Sequence, residues 1–411
     1  MMMQLDPREF RTKDERYSDQ LKMLRAYIGH AQSKSELMRQ RLSSFADVHE
    51  SISQISDLEK LPVLRKSELI SLQKNDPFGG LVPNDARLAH IFRSPGPIND
   101  VDGFDGDWWR FSRAMRACGI GSGDRIQNCF SYHFTPAGLM FERGAMSLGA
   151  TVFPAGPGQT EAQAEAMSSL QVTAYAGVPD FLKIILEKAD EMGLDTTRVN
   201  KALVSGGPLF PAVRSWIAGR GINILQCYGT ADLGLIAYES KADEGLIVDE
   251  DVIVEIVRPG TGDVVPHGEV GEVVVTPLAH REYPLVRFAT GDLSAVLPGE
   301  SSCGRTNVRL KGWMGRADQT TKVKGMFVHP VQVDRVVKEI GATKGRLVVT
   351  RDGSNDVMTL TLEHHDSGDD LIEKTEGILH KHAKLRGRIV FVRPGTLPND
   401  GKVIEDARDF G

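Results

Sequence analysis

Between Arg125 and Leu225 short apolar runs alternate with longer amphipathic ones, and this alternation most constrains the fold. Arg125 to Phe130 predicts a strand, Ser131 to Pro136 a polar–aromatic turn, and Ala137 to Leu148 a helix closed by Gly149. Ala150 to Pro154 then predicts a strand, followed by a glycine-rich turn from Ala155 to Glu161. The strand Ala174 to Gly177, the helix Asp180 to Met192 and the strand Lys201 to Val204 continue the series. Repeated strand–helix–strand units imply an α/β domain with a mainly parallel sheet.

The flanks differ in texture. Tyr17 to Ile28 and Ser33 to Leu42 carry apolar residues at helical spacing, and Ser67 stands where a helix cap is expected. Trp108 to Cys118 also reads as a helix. From Ser240 to Leu297 short alternating strands take over, with Val252 to Val257 meeting Glu272 to Thr276 through the turn at Pro259 to Asp263. Beyond Asp318 the pattern is a small α+β domain. It has a helix at Val331 to Ile340, a hairpin of Arg346 to Thr350 with Val357 to Glu363, a helix at Asp369 to Leu385 and a strand at Ile389 to Val392.

Composition narrows the function. A formal charge of −6 on 411 residues leaves no basic stripe for nucleic acid. No apolar run approaches the ~20 residues of a membrane span. The N-terminus lacks a signal-peptide core. Cys118, Cys129, Cys227 and Cys303 are scattered, without disulfide-framework or zinc spacing, so a reduced, cytoplasmic protein is expected.

In α/β sheets ligands gather beyond the carboxyl ends of strands. Two turns hold that place: Ser205-Gly206-Gly207-Pro208, and Gln226-Cys227-Tyr228-Gly229-Thr230-Ala231-Asp232. Glycines bare the backbone to a flat ring and Tyr228 offers a face for stacking, although every α/β protein has glycine turns. Two further carboxylates sit on glycine-containing turns, at Thr290-Gly291-Asp292 and Gly315-Arg316-Ala317-Asp318, as a ligand with hydroxyls requires.

These turns stand in a revealing order. Pro284-Leu285-Val286-Arg287-Phe288-Ala289-Thr290-Gly291-Asp292 is followed by Cys303-Gly304-Arg305, by Gly315-Arg316-Ala317-Asp318, and by Gly325 with Pro330. The series resembles the hinge region of adenylate-forming enzymes, specifically the phenylacetate–CoA ligase family. Leu61-Pro62-Val63-Leu64-Arg65-Lys66-Ser67-Glu68-Leu69 and Leu397-Pro398-Asn399-Asp400-Gly401-Lys402 resemble two more of its segments.

The resemblance implies a large N-terminal domain over residues 1–316, with a β-rich part at 238–300, and a mobile C-terminal domain over 317–411 that swings about Asp318. It implies that ATP, magnesium and coenzyme A are used to turn an aryl or hydrophobic carboxylic acid into a thioester by way of an acyl-adenylate. Ser205, Gly206, Gly207, Tyr228 and Gly229 would hold adenine, and Asp292 and Arg316 the ribose side of the nucleotide. Asp232 would bind magnesium, and Lys402 would reach the carboxylate and α-phosphate. The acid pocket would lie near Tyr132, His133, Phe134 and Phe141. Small molecules are the expected partners, and a homodimer is compatible with the family.

Three departures qualify this picture. Ala231 replaces the family's hydroxyl residue, which Thr230 could supply one position early. The places of a structural zinc carry Ser240, Ile247, Ser301 and Cys303, and one thiol does not make a tetrahedral site, so no zinc is expected. The phosphate loop is replaced by Arg93-Ser94-Pro95-Gly96-Pro97-Ile98, whose two prolines lack N–H donors. Either Ser94 and Gly96, with Arg93, hold the phosphates differently, or ATP use is weakened or lost. An adenylate-forming enzyme with another acceptor and a non-catalytic binding homologue therefore stay open.

Overall fold

The fold is seen in a computed structural model. It describes residues 6–45, 47–94, 97–317, 319–353, 355–398 and 402–408. Gly96 and Asp318, expected in the phosphate loop and at the hinge, lie outside the described residues. The chain divides into two compact units, Met1–Trp313 and Met314–Gly411, so Arg316 belongs to the second.

The first unit is built on a nine-stranded sheet. Its parallel block runs in the order Thr151–Pro154, Arg125–Asn128, Ala174–Gly177, Lys201–Val204, Asn223–Thr230. Ala174–Gly177 is buried at every position, as a strand covered on both faces must be. Gly234–Tyr238 then returns antiparallel to Asn223–Thr230, followed by Leu246–Val248. Between the helices and the sheet Trp109, Phe111, Phe130, Met140 and Phe141 form one apolar cluster.

Val252–Val257 meets the strand Gly271–Pro277 antiparallel, as the sequence reading expects, and the β-rich stretch is shared between two sheets. Leu246–Val248 and Val296–Leu297 join the edge of the large sheet. Val252–Val257, Gly271–Pro277 and Phe288–Ser294 form a second sheet with Leu64–Arg65 from the N-terminal segment. Its apolar face packs against the helix Lys13–Lys34, which buries Leu24, Tyr27, Ile28 and Ala31. That helix starts at a reciprocal cap: Glu15 N–H donates to Thr12 Oγ1 at 3.2 Å, and Thr12 N–H donates to Glu15 Oε2 at 2.8 Å.

Arg287 ties the N-terminal segment to the second sheet. It is 2% exposed and grips Glu255 through Nε–Oε2 at 3.0 Å and Nη2–Oε1 at 2.9 Å. It also donates to the carbonyls of Leu61 at 2.7 Å and Gly262 at 2.8 Å. Removing one member of such a buried, fully bonded pair costs about 3–5 kcal/mol.

Smaller differences from the sequence reading have local causes. The helix expected from Trp108 begins at Phe111, because Arg110 is left-handed at φ 68°. Helix Lys66–Leu72 starts one residue before Ser67, with Arg65 in the cap position. In place of the glycine-rich loop stands a short hairpin, His90–Ser94 with Ile98–Asp102, in which Ser94 pairs with Ile98.

The second unit has a four-stranded sheet with Lys344–Asp352 and Asn355–Glu363 at its centre and Arg388–Val392 and Ile404–Asp406 at its edges. Helices Pro330–Ile340 and Asp369–Ala383 accompany it; Val333, Val336, Ile378 and Leu379 join Leu347, Leu360 and Leu362 in the core.

Candidate functional site

The strand Asn223–Thr230 carries Tyr228, Gly229 and Thr230 at the carboxyl end of the parallel block. A register shift falls between Tyr228 and Gly229, where the strand meets Gly234–Tyr238. A Cβ on Gly229 would come 2.6 Å from the Gly234 carbonyl oxygen, so only glycine fits there. The bulge re-aims Tyr228. Its hydroxyl donates to Asp292 Oδ2 at 2.8 Å, with Thr290 Oγ1 at 3.2 Å. Trp313 Nε1–H donates to the other oxygen, Asp292 Oδ1, at 3.1 Å. Tyr228 and Asp292, 64 residues apart in the chain, are thus locked together.

The Ser205-Gly206-Gly207 turn follows the adjacent strand. Gly206 is left-handed at φ 72°, with Phe130 and Val178 each 3.6 Å from where its Cβ would stand. Ser205 Oγ donates to the Cys227 carbonyl at 2.9 Å, joining the two turns. Thr230 Oγ1 accepts from Leu233 N–H at 3.2 Å and caps the turn that leads to Asp232.

Asp232 lies at the bottom of a buried polar cluster. Its Oδ2 accepts from Lys66 Nζ at 2.6 Å, and the carboxylate side chain is 0% exposed. Its neighbour is Asp100 of the short hairpin, also 0% exposed, whose Oδ2 accepts from Ser94 Oγ. Burial and the Asp232 charge push the Asp100 carboxyl well up. At Asp232 burial also raises the pKa, but the Lys66 ammonium more than offsets this and holds it below the usual range. Asp232 Oδ1 is enclosed without a hydrogen-bond donor among the described residues. An orphaned hard oxygen on a carboxylate fits a magnesium ion. Ser94, expected to turn its hydroxyl to phosphate, turns it to Asp100 instead and is 7% exposed.

The four residues expected to line the acid pocket lie in different surroundings. Phe134 is 78% exposed at φ 62° and His133 is exposed. Phe141 is core, its ring centroid 4.2 Å from Phe130 and 4.5 Å from Phe111. Tyr132 accepts from Asn128 Nδ2 at 2.8 Å on its hydroxyl. Of the four, Tyr132 alone is held by a side chain of the parallel block's strand Arg125–Asn128.

The expected zinc positions do converge in part. Ser240 Oγ is 3.0 Å and Ser301 Oγ 3.1 Å from Cys303 Sγ, while Ile247 is apolar core. Burial raises the Cys303 thiol, but these hydroxyls and Arg305 outweigh it and bring the pKa down to about 7.

In the second unit Lys402 is exposed, and its chain flanks are clamped. Arg346 Nε donates to the Lys402 carbonyl at 3.3 Å. Gln319 Oε1 accepts from Val403 N–H at 2.6 Å and Ile404 N–H at 3.2 Å. Upstream, Leu397 N–H donates to Glu363 Oε1 at 2.7 Å and Lys344 Nζ to the Pro398 carbonyl at 2.6 Å. Gln319, next to the expected hinge, is left-handed at φ 60°.

Sequence reasoning missed Asp100, Trp313 and Gln319. Asp100 alone left a signal: on a two-residue period it shares a face with the apolar Ile98.

Comparison with known proteins gives the family. A family model described as AMP-binding enzyme matches residues 107–277. The phenylacetate-coenzyme A ligase of Escherichia coli (strain K12) is 30% identical over 385 residues, 88% of this chain and 86% of that one. The enzyme of the same name from Pseudomonas putida is 29% identical, over 82% of this chain and 78% of its own. A solved structure of 2-hydroxyisobutyryl-CoA ligase, in complex with 2-HIB-AMP and CoA, shares the fold with a TM-score of 0.81 at 22% identity, covering 98% of this chain and 92% of that one. The chain belongs to the phenylacetate–CoA ligase family of AMP-forming acid–thiol ligases.

Proposed function

We propose that this enzyme activates an aryl or hydrophobic carboxylic acid with ATP and passes the acyl group to coenzyme A. The observation that carries the reading is the locked pair of Tyr228 and Asp292 beside the Gly206 turn. It supports a flat base against the tyrosine and ribose hydroxyls on the carboxylate.

The chemistry runs in two displacements. A carboxylate oxygen of the acid attacks the α-phosphorus and pyrophosphate leaves, giving the acyl-adenylate. The thiol sulfur of coenzyme A then attacks the acyl carbon; the thiol proton is lost and AMP departs. In the first step charge neutralisation matters more than covalent help. Lys402 brings an ammonium to the carboxylate and α-phosphate, Arg316 acts on the nucleotide, and Asp232 would hold magnesium, which supplies positive charge against the phosphates when bound. Rotation of the residues beyond Asp318 withdraws Lys402 and admits the thiol. Among the described residues no helix is long and apolar enough to cross a membrane. The reading includes a cytoplasmic setting, small-molecule partners only, and a homodimer as one form of assembly.

The test is ATP–pyrophosphate exchange over a panel of aryl and fatty acids, followed by thioester assay on adding coenzyme A. Acid-dependent exchange and a thioester are expected. Exchange without thioester points to another acceptor. Absence of both exchange and ATP binding overturns the catalytic reading.

A further inference from the structure

The two central strands of the second unit each carry a buried charge. Arg346 on Lys344–Asp352 is 7% exposed and Glu363 on Asn355–Glu363 is 4% exposed. The strands run antiparallel, with Arg346 opposite Thr361 and Lys344 opposite Glu363, so strand alternation puts all four on one face. Leu347, Val349, Leu360 and Leu362 take the other face, toward the core shared with the helices. On the polar face Val348, Thr359 and Thr361 stay half-buried, so the deep burial of Arg346 and Glu363 is local.

Both charges are directed at one stretch of main chain. It leads from Arg388–Val392 at one edge of the sheet to Ile404–Asp406 at the other, and it carries Lys402. Glu363 Oε1 accepts from Leu397 N–H at 2.7 Å, and Glu363 Oε2 accepts from Thr343 Oγ1 at 3.2 Å. Arg346 donates from Nη2 to the Pro398 carbonyl at 3.5 Å and from Nε to the Lys402 carbonyl at 3.3 Å. Lys344 Nζ adds a 2.6 Å bond to the Pro398 carbonyl. One guanidinium thus holds the carbonyls of Pro398 and Lys402 together. A connection between two strands needs no buried charge, since apolar side chains close such a span without desolvating one. Charged groups aimed at main-chain amides and carbonyls fix the path of the backbone instead, in bonds stronger than neutral ones. The side chain that this path delivers is the exposed Lys402.

We propose that Arg346 and Glu363 are positioning residues for adenylation, a brace on the two central strands that sets where Lys402 is presented. This rests on the reading of Lys402 as the ammonium of the first half-reaction. A purely structural role for the pair would lower stability without separating the two half-reactions.

The test uses the full chain and follows Arg346→Met and Glu363→Leu, with Lys402→Ala alongside. In both brace variants the turnover of ATP–pyrophosphate exchange should fall roughly tenfold to a hundredfold, with the KM for ATP little changed. Thioester formation from synthetic acyl-adenylate and coenzyme A should keep its wild-type rate. Glu363→Gln retains an acceptor oxygen and should recover most of the exchange; Arg346→Lys retains one donor and should recover part. A wild-type measurement needs no variant: in hydrogen exchange read by mass spectrometry, the Leu397 amide, which lies outside any strand, should be at least about tenfold slower than an unstructured amide. A freely exchanging Leu397 amide, or equal loss of both half-reactions in variants that melt like the wild type, overturns the proposal. Full exchange turnover in both brace variants, with Lys402→Ala impaired, overturns it too and leaves the ligase reading standing. Full exchange in Lys402→Ala overturns the reading of Lys402 and the brace with it.

Discussion

Gln319→Ala is the perturbation whose effect follows most closely from the geometry. One side-chain oxygen accepts from two consecutive amides, Val403 at 2.6 Å and Ile404 at 3.2 Å, directly after Lys402. Each such bond is worth about 0.5–1.5 kcal/mol net, so about 1–3 kcal/mol holds this end of the lysine segment. The residue is itself left-handed, at φ 60°, and adjoins the proposed hinge position. If the clamp sets the working position of Lys402, its loss lowers the exchange turnover by roughly tenfold to a hundredfold. The KM for ATP should change little. Gln319→Glu keeps an acceptor oxygen and should recover most of the rate. Thioester formation from synthetic acyl-adenylate and coenzyme A, which does not call on Lys402, should be unaffected. An unchanged exchange turnover in Gln319→Ala, with Lys402→Ala impaired, refutes the reasoning.

Two further outcomes test other parts of the account. Arg287→Met strands the buried Glu255 carboxylate and should destabilise the chain by about 3–5 kcal/mol in urea unfolding, and adding Glu255→Met should restore much of it. Cys303, with its thiol brought down to about 7, should be alkylated by iodoacetamide with a midpoint near that pH. The sign follows from the lowered value: thiolate dominates above the midpoint, and reactivity is lost as pH falls through it. Cys118, Cys129 and Cys227, which burial pushes upward, should stay unmodified in the folded chain.

The parallel sheet was legible because its signal is local: each strand and helix between Arg125 and Leu225 declares its own period. The turns at Ser205 to Pro208 and at Gly229 were legible for the same reason, as glycines at strand ends. What the sequence hid are pairings across long separations. Tyr228 with Asp292 and Asp232 with Lys66 join segments far apart in the chain, each singled out by itself but not as a pair. The burial of Asp100 left only a faint signal, because an acid between Asn99 and Val101 in a short hairpin reads as solvated unless its period-two partner Ile98 is noticed. The acid pocket at Tyr132, His133, Phe134 and Phe141 was implied by the resemblance, and local pattern does not say whether a turn carrying such side chains faces inward.

The central claim is that Lys402 serves adenylation and is dispensable afterwards. Measuring the two half-reactions separately in Lys402→Ala tests this most directly. The account predicts that ATP–pyrophosphate exchange falls by about a hundredfold or more, while synthetic acyl-adenylate and coenzyme A still give thioester at the wild-type rate. Exchange that survives the substitution, or equal loss of both half-reactions in a variant that melts like the wild type, contradicts it.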